Sequence, residues 1–250
     1  MSIINSFDNI SEEIIKPQNL IEKVENFPKT IITVFSRKFT DLLTSSYELQ
    51  QISYMVGGIV VPIYKFEYKG KEIGFYQTLL GGSASGGLLE EIIAKGGENV
   101  LFFGSCGSLD KEVTSGNLII PTFAYRDEGT SYHYAPPSDY IEIKTANRLA
   151  EIFDEIGVQY YKTRTWTTDG FYRETKNNME ARKKDGCSVV EMECASVMAV
   201  GNFRKINVYQ FLYTADCLDG NKWNAALLGK MPNDMRKSIL RIALETAIRL

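Results

Sequence analysis

The sequence is poor in the groups that most often announce a function. Its single histidine, His133, excludes a multi-histidine metal site, and no metal and no cofactor are expected. The four cysteines, Cys106, Cys187, Cys194 and Cys217, show no C-x-x-C spacing. So sparse a set in a chain of 250 residues does not make a disulfide framework, and reduced, buried thiols suited to the cytoplasm are expected. No apolar run approaches the ~18 residues of a membrane span, and the N-terminus lacks a basic-then-apolar signal pattern. Positive charge is not in excess either. The 28 Lys and Arg stand against 31 Asp and Glu, a formal net charge of −3, which leaves no basic face for nucleic acid. A soluble cytoplasmic protein with neither a membrane nor a nucleic-acid partner is the expectation.

What is present is an apolar fraction of 44%, enough for a sizeable core, in a chain whose length fits one α/β domain over 1–250. Residues 29–35 form a β-branched run that predicts a buried strand, and 38–49 a helix. Alternating stretches at 58–68 and 71–78 flank Tyr68-Lys69-Gly70-Lys71, a hairpin turn. A glycine-rich loop over 79–87 leads into a helix at 88–95, and a strand at 100–103 breaks into Gly104-Ser105-Cys106-Gly107-Ser108. Further strands are expected at 117–121, 158–167, 188–190 and 207–213. Helices are expected at 141–156, 194–203 and 234–250, the last capped by Asn233 or Asp234. The stretches 125–140 and 172–186 read as loops. Strands alternating with helical patterns predict an α/β architecture.

The most unusual stretch is Val190-Glu191-Met192-Glu193, two acids one residue apart at a strand-to-helix junction. Acids there commonly do no more than complement a helix dipole. A glycine loop after a strand is commonly a tight turn, and Asp216 after the last strand is commonly a cap or turn former. All three nevertheless fall at strand ends, where open α/β sheets collect ligands.

Taken in order, these elements resemble the nucleoside phosphorylase family of the purine nucleoside and uridine phosphorylase type, with its related nucleosidases. The resemblance rests on Gly-Ser-Cys-Gly at 104–107, on Asp169-Gly170-Phe171-Tyr172, on Val190-Glu191-Met192-Glu193 and on Thr214-Ala215-Asp216. It implies a three-layer α/β/α sandwich with a mixed, mostly parallel central sheet. It also implies cleavage of the N-glycosidic bond of a nucleoside, in purine salvage, by a homo-oligomer, either a dimer or a hexamer. Glu193 would hold the ribose hydroxyls, Met192 would pack on the sugar, and Glu191 would support the pocket or touch the base. Asp216 would donate a proton to purine N7, and Phe171 would stack on the base. Ser105, Cys106 and Gly107 would line the floor.

The departures from that pattern fall where the nucleophile binds. Phe102 stands where the family carries a central arginine, and residues 34–39 contain no Gly-Asp-Pro. Only apolar residues stand at 59–63, where a third arginine is due. Arg37, with Ser105, is the remaining candidate to hold inorganic phosphate as co-substrate, and Arg126 is a further cation that could face the pocket. Phosphate is the expected acceptor. Water, as in a hydrolytic nucleosidase, and a nucleoside-binding protein without turnover are the alternatives. Asp216 favours a purine over a pyrimidine. His133, in a tyrosine-rich loop, is expected to pack or bond structurally.

Overall fold

The computed structural model describes residues 2–56, 58–113, 115–220 and 222–250. After an exposed N-terminal arm carrying a 3₁₀ turn at Ile3–Asn5 and a short turn of α-helix, α1 (Pro17–Leu20), the β-branched run becomes β1 (Thr30–Val34). Ile31, Ile32 and Val34 in it have almost no exposed surface. The chain continues with α2 (Arg37–Ser46), β2 (Gln50–Val56), β3 (Val60–Tyr68), β4 (Lys71–Gln77), α3 (Gly82–Lys95), β5 (Asn99–Ser108) and β6 (Leu118–Asp127). Next come α4 (Ser131–Tyr134), β7 (Tyr140–Glu142), α5 (Ala146–Glu155) and β8 (Tyr161–Thr168). The last elements are α6 (Lys176–Lys184), β9 (Cys187–Glu191), α7 (Cys194–Arg204), β10 (Asn207–Cys217) and α8 (Asn233–Ala247).

The strands form one mixed sheet between layers of helices, a three-layer α/β/α arrangement. Its order is β10-β6-β8-β9-β5-β1-β4-β3-β2, with β7 on β6, and β10 also pairs with β5. Strands β5, β10, β6, β8 and β9 therefore close on themselves, while β1, β4, β3 and β2 extend from β5 as an open wing. Parallel pairs join β1 to β4 and β5, β5 to β10, and β8 to β6 and β9. The remaining pairs are antiparallel. Helices α2, α5 and α8 pack as one group, and α3, α4 and α7 as another.

Several sequence expectations shift for identifiable reasons. The β3–β4 hairpin turns at Lys69 and Gly70, both with positive φ, as a two-residue turn requires. The glycines of 79–87 do not form a loop, since α3 already begins at Gly82. A methyl group on Gly82 would lie 2.0 Å from Ser196 Oγ, so glycine here lets α3 lie close against α7. Likewise 104–107 is not a turn. Strand β5 runs through it to Ser108, and its glycines make room for neighbouring side chains. Edge strand β2 and helix α6 were not expected. Met179 is the one buried residue described in α6, which leaves no apolar stripe to read. Strand β6 and the short α4 and β7 occupy much of the expected loop at 125–140. Helix α8 begins after Pro232 with no side-chain cap, so neither Asn233 nor Asp234 caps it. Among the described residues, no helix is long and apolar enough to cross a membrane.

Candidate functional site

Register brings the site together. Gly107 on β5 lies opposite Val190 on β9 and opposite Asp216 on β10, so residues far apart in sequence form one row across three strands. A bulge between Thr214 and Asp216 re-aims the end of β10. A methyl group at Gly107 would meet Leu218 at 2.7 Å, Val190 at 3.1 Å and Asp216 Oδ1 at 3.4 Å, so the glycine leaves room beside the aspartate.

The two acids after β9 have different surroundings. Glu191 is buried and accepts from Thr165 Oγ1 at 3.2 Å, Thr167 Oγ1 at 2.5 Å, and the backbone N–H groups of Glu193 at 2.7 Å and Cys194 at 2.6 Å. Its carboxylate fixes the start of α7 and has no oxygen left over for a base, which places it as a structural support. Burial pushes its pKa up, but four donors favour the charged form. Glu193 is buried next to that charge, with one oxygen accepting from Gly81 N–H at 2.6 Å. Burial first, and then Glu191, push Glu193 up to about 8. Four donors oppose the rise at Glu191, whereas the neighbouring acid adds to the rise at Glu193. Gly81 has φ of +92°, a conformation that suits glycine and turns its N–H onto the acid. Met192 is half-buried between the two acids.

Beside this pair lies a small cavity of about 10 Å³, bounded by Phe35, Phe102, Gly104, Glu191 and Glu193. The Phe35 and Phe102 rings lie 6.4 Å apart. No cationic side chain among the described residues borders it. Arg37, expected to bind phosphate, is instead 85% exposed at the start of α2 and faces Asp41 at 3.7 Å. Arg126 is buried, but its donors go to Ser131 Oγ and to the carbonyls of Ala135, Pro136 and Ser138. Ser105 is exposed and Cys106 is buried, its thiol pushed well up by burial and by Glu191 and Asp216. His133 is exposed on α4 and takes no part in the site; it does not pack as expected.

Asp216 is 8% exposed, and its Oδ2 accepts the Trp223 indole N–H at 2.7 Å. Burial raises its pKa, while the Trp223 bond opposes the rise. Trp223 forms one wall of an open cleft of about 450 Å³, together with Phe171, Glu174, Met179 and Leu218. Phe171 is 43% exposed there and packs edge-on to Tyr172, with ring centroids 4.6 Å apart. Glu174 is half-buried in this wall, and burial followed by the Asp216 charge push it up to about 7. Glu174, Trp223, Phe35 and Gly81 are site residues that the sequence did not single out, because only folding gives them their neighbours.

The model of the phosphorylase superfamily matches residues 29–248. The chain belongs to that superfamily. It is 27% identical to a DeoD-type purine nucleoside phosphorylase of Exiguobacterium sibiricum, over 73% of this chain and 78% of that protein. A uridine phosphorylase of Thermococcus kodakarensis is 34% identical over a shorter stretch, 42% of this chain and 39% of the relative. Among solved structures, the fold is similar to that of an AMP nucleosidase from Bacteroides thetaiotaomicron. That match has a TM-score of 0.73 and 17% identity, covering 92% of this chain and 96% of the other. It is also similar to a Toxoplasma gondii purine nucleoside phosphorylase in complex with immucillin-H. There the TM-score is 0.75 and the identity 18%, covering 89% of this chain and 91% of the other. In this superfamily member Asp216 is tied to the aromatic cleft through Trp223, Lys176 and Lys222 line that cleft, and no cationic side chain among the described residues borders the cavity against Glu193.

Proposed function

We propose that this superfamily member hydrolyses the N-glycosidic bond of a purine nucleoside, with water rather than phosphate as the acceptor. The observation that carries the reading is the cavity against Glu193. Its volume of about 10 Å³ is close to the least that holds one water, roughly 10–15 Å³. Phosphate is several times larger and needs cations, and phenyl rings line the place where the resemblance sets them. Removing each charge-assisted contact to phosphate costs roughly 1.5–3 kcal/mol.

In this reading the base enters the cleft against Phe171, and the sugar lies toward Met192 and Glu193. Water attacks C1′ as the C1′–N9 bond breaks, and the bonding electron pair passes into the base. Asp216 delivers its proton to N7, which makes the base a neutral leaving group. Glu193, once ionised, takes a proton from the water, and with a pKa of about 8 the fraction of this base, and the rate with it, grows as the pH rises toward 8. Burial raises the Asp216 pKa, the direction that a proton donor to the leaving group requires.

The test is incubation with adenosine, inosine, guanosine and uridine, with and without phosphate, and separation of bases and sugars. Free purine base with free ribose, independent of phosphate, supports hydrolysis. Ribose 1-phosphate formed only with phosphate overturns the choice of acceptor. Tight nucleoside binding without base release in any condition overturns the enzyme reading.

A further inference from the structure

An open cleft of about 680 Å³ lies between α2 and the start of α8. It shares no lining residue with the Phe171 cleft or with the cavity against Glu193. Lys38, Lys230, Arg236 and Lys237 line it against one carboxylate, Asp41, which Arg37 faces at 3.7 Å. Asp234 stands in the first turn of α8 but does not line the cleft. In a chain of formal net charge −3, this cluster is a local reversal of sign.

Arg236 distinguishes the cleft from a patch of surface lysines. It is only 7% exposed, yet its donors go to neutral acceptors, the side-chain oxygen of Asn233 and the Met231 carbonyl at 3.0 Å. Its guanidinium lies 6.0 Å from the centre of the Phe39 ring. Among the described residues no carboxylate pairs with it. Buried arginines are ordinarily paired, because a charge taken out of water without a counter-ion is costly. The lysines have donors to spare. Lys38 gives one of its three to the Gly229 carbonyl at 3.0 Å, and Lys230 and Lys237 are exposed with no ion pair among the described residues.

We propose that this cleft binds an oxyanion of the phosphate class, either free or as the phosphate group of a larger molecule. Arg236 supplies the buried counter-charge, and Lys38, Lys230 and Lys237 close around the anion from the rim. Guanidinium and ammonium groups are the usual partners of phosphate oxygens. Four cations against one carboxylate suit an anion of two or more charges, and cations gathered in a cleft focus their field on it. The site also touches the elements that build the candidate active site. Lys38 follows Phe35 in the chain, and Gly229 lies on the segment that carries Trp223, so the Lys38–Gly229 bond ties the two together. An anion shared by Lys38, Lys230 and Arg236 strengthens that tie.

Pyrophosphate and inorganic phosphate, titrated calorimetrically into the full chain at low ionic strength, test the site. Saturable one-to-one binding is expected. The double variant Lys230→Gln, Lys237→Gln alters only exposed side chains and should weaken binding tenfold or more. Arg236→Gln should weaken it at least as much, and where that variant fails to fold the lysine variant still decides. Tighter inorganic phosphate identifies the free ion as the occupant, whereas tighter pyrophosphate identifies the diphosphate group of a larger molecule. Either supports the shared chemistry. No saturable binding of either anion, or binding that the lysine changes leave unmoved, overturns the proposal. Binding that free adenine displaces also overturns it, because the anion then sits beside Lys176 and Lys222 in the Phe171 cleft.

Discussion

The ring of Phe35 lies over Gly104. A methyl group on that glycine would come within 2.8 Å of the ring, closer than carbon atoms pack. The contact joins the end of β1 to the middle of β5 beside the small cavity against Glu193. Gly104→Ala should therefore destabilise the protein by about 1–3 kcal/mol, as overpacking does. Combining it with Phe35→Ala should cost less than the sum of the two single changes. Urea unfolding of the four proteins in a double-mutant cycle measures this, and strict additivity would mean that the two residues do not meet.

The two acids of the Val190–Glu193 stretch should separate cleanly. Glu191→Gln puts an amide NH2 where a carboxyl oxygen accepts from threonine hydroxyls or backbone N–H groups, and should lower stability by roughly 1–3 kcal/mol. Glu193→Gln should leave stability at neutral pH nearly unchanged, because the native acid is already protonated there, yet should cut turnover severely. Thermal unfolding and base release, measured on both variants, test the division. The reverse pattern would exchange the roles of the two residues.

The same pair illustrates what a linear reading can and cannot reach. The unusual spacing of Glu191 and Glu193 marks the site in the sequence. Which acid is structural depends on Thr165 and Thr167 of β8 and on the start of α7, which only folding brings together. The glycines were legible as glycines but not for their purpose. Gly82, Gly104 and Gly107 serve close approach rather than turning, and local sequence does not carry the identity of the neighbours Ser196, Phe35 and Asp216. Helix α6 escaped because it is polar nearly all round, and Glu174 because its surroundings come from β10 and the segment after it. The central strands and most helices were legible because burial on both faces or along one stripe writes directly into apolar pattern.

Glu193 should also leave a signature in stability against pH. Its folded pKa of about 8 lies above its ordinary value near 4.5, so the folded state binds the proton more tightly. Its contribution is then fully present below about 4.5 and is lost as the pH rises toward 8, by an amount on the order of a few kcal/mol. Glu193→Gln should flatten that part of the curve. Urea midpoints across this range check the sign, and a wild-type profile no steeper than that of the variant would contradict the buried, protonated acid.

The last prediction concerns the bond from Trp223 to Asp216. An indole N–H at 2.7 Å from Oδ2 stabilises the carboxylate and so holds down an acid that burial would otherwise raise further. Trp223→Phe keeps an aromatic wall in the cleft but removes the donor. The Asp216 proton should then persist to higher pH, and the limb of the kcat/KM profile on which activity falls as this acid ionises should move upward. Asp216→Asn should instead abolish that limb and most purine cleavage with it. Profiles for adenosine cleavage by the wild type and both variants separate the effects. A Trp223→Phe limb that stays in place, with only KM raised, would reduce the indole to a packing surface for the base.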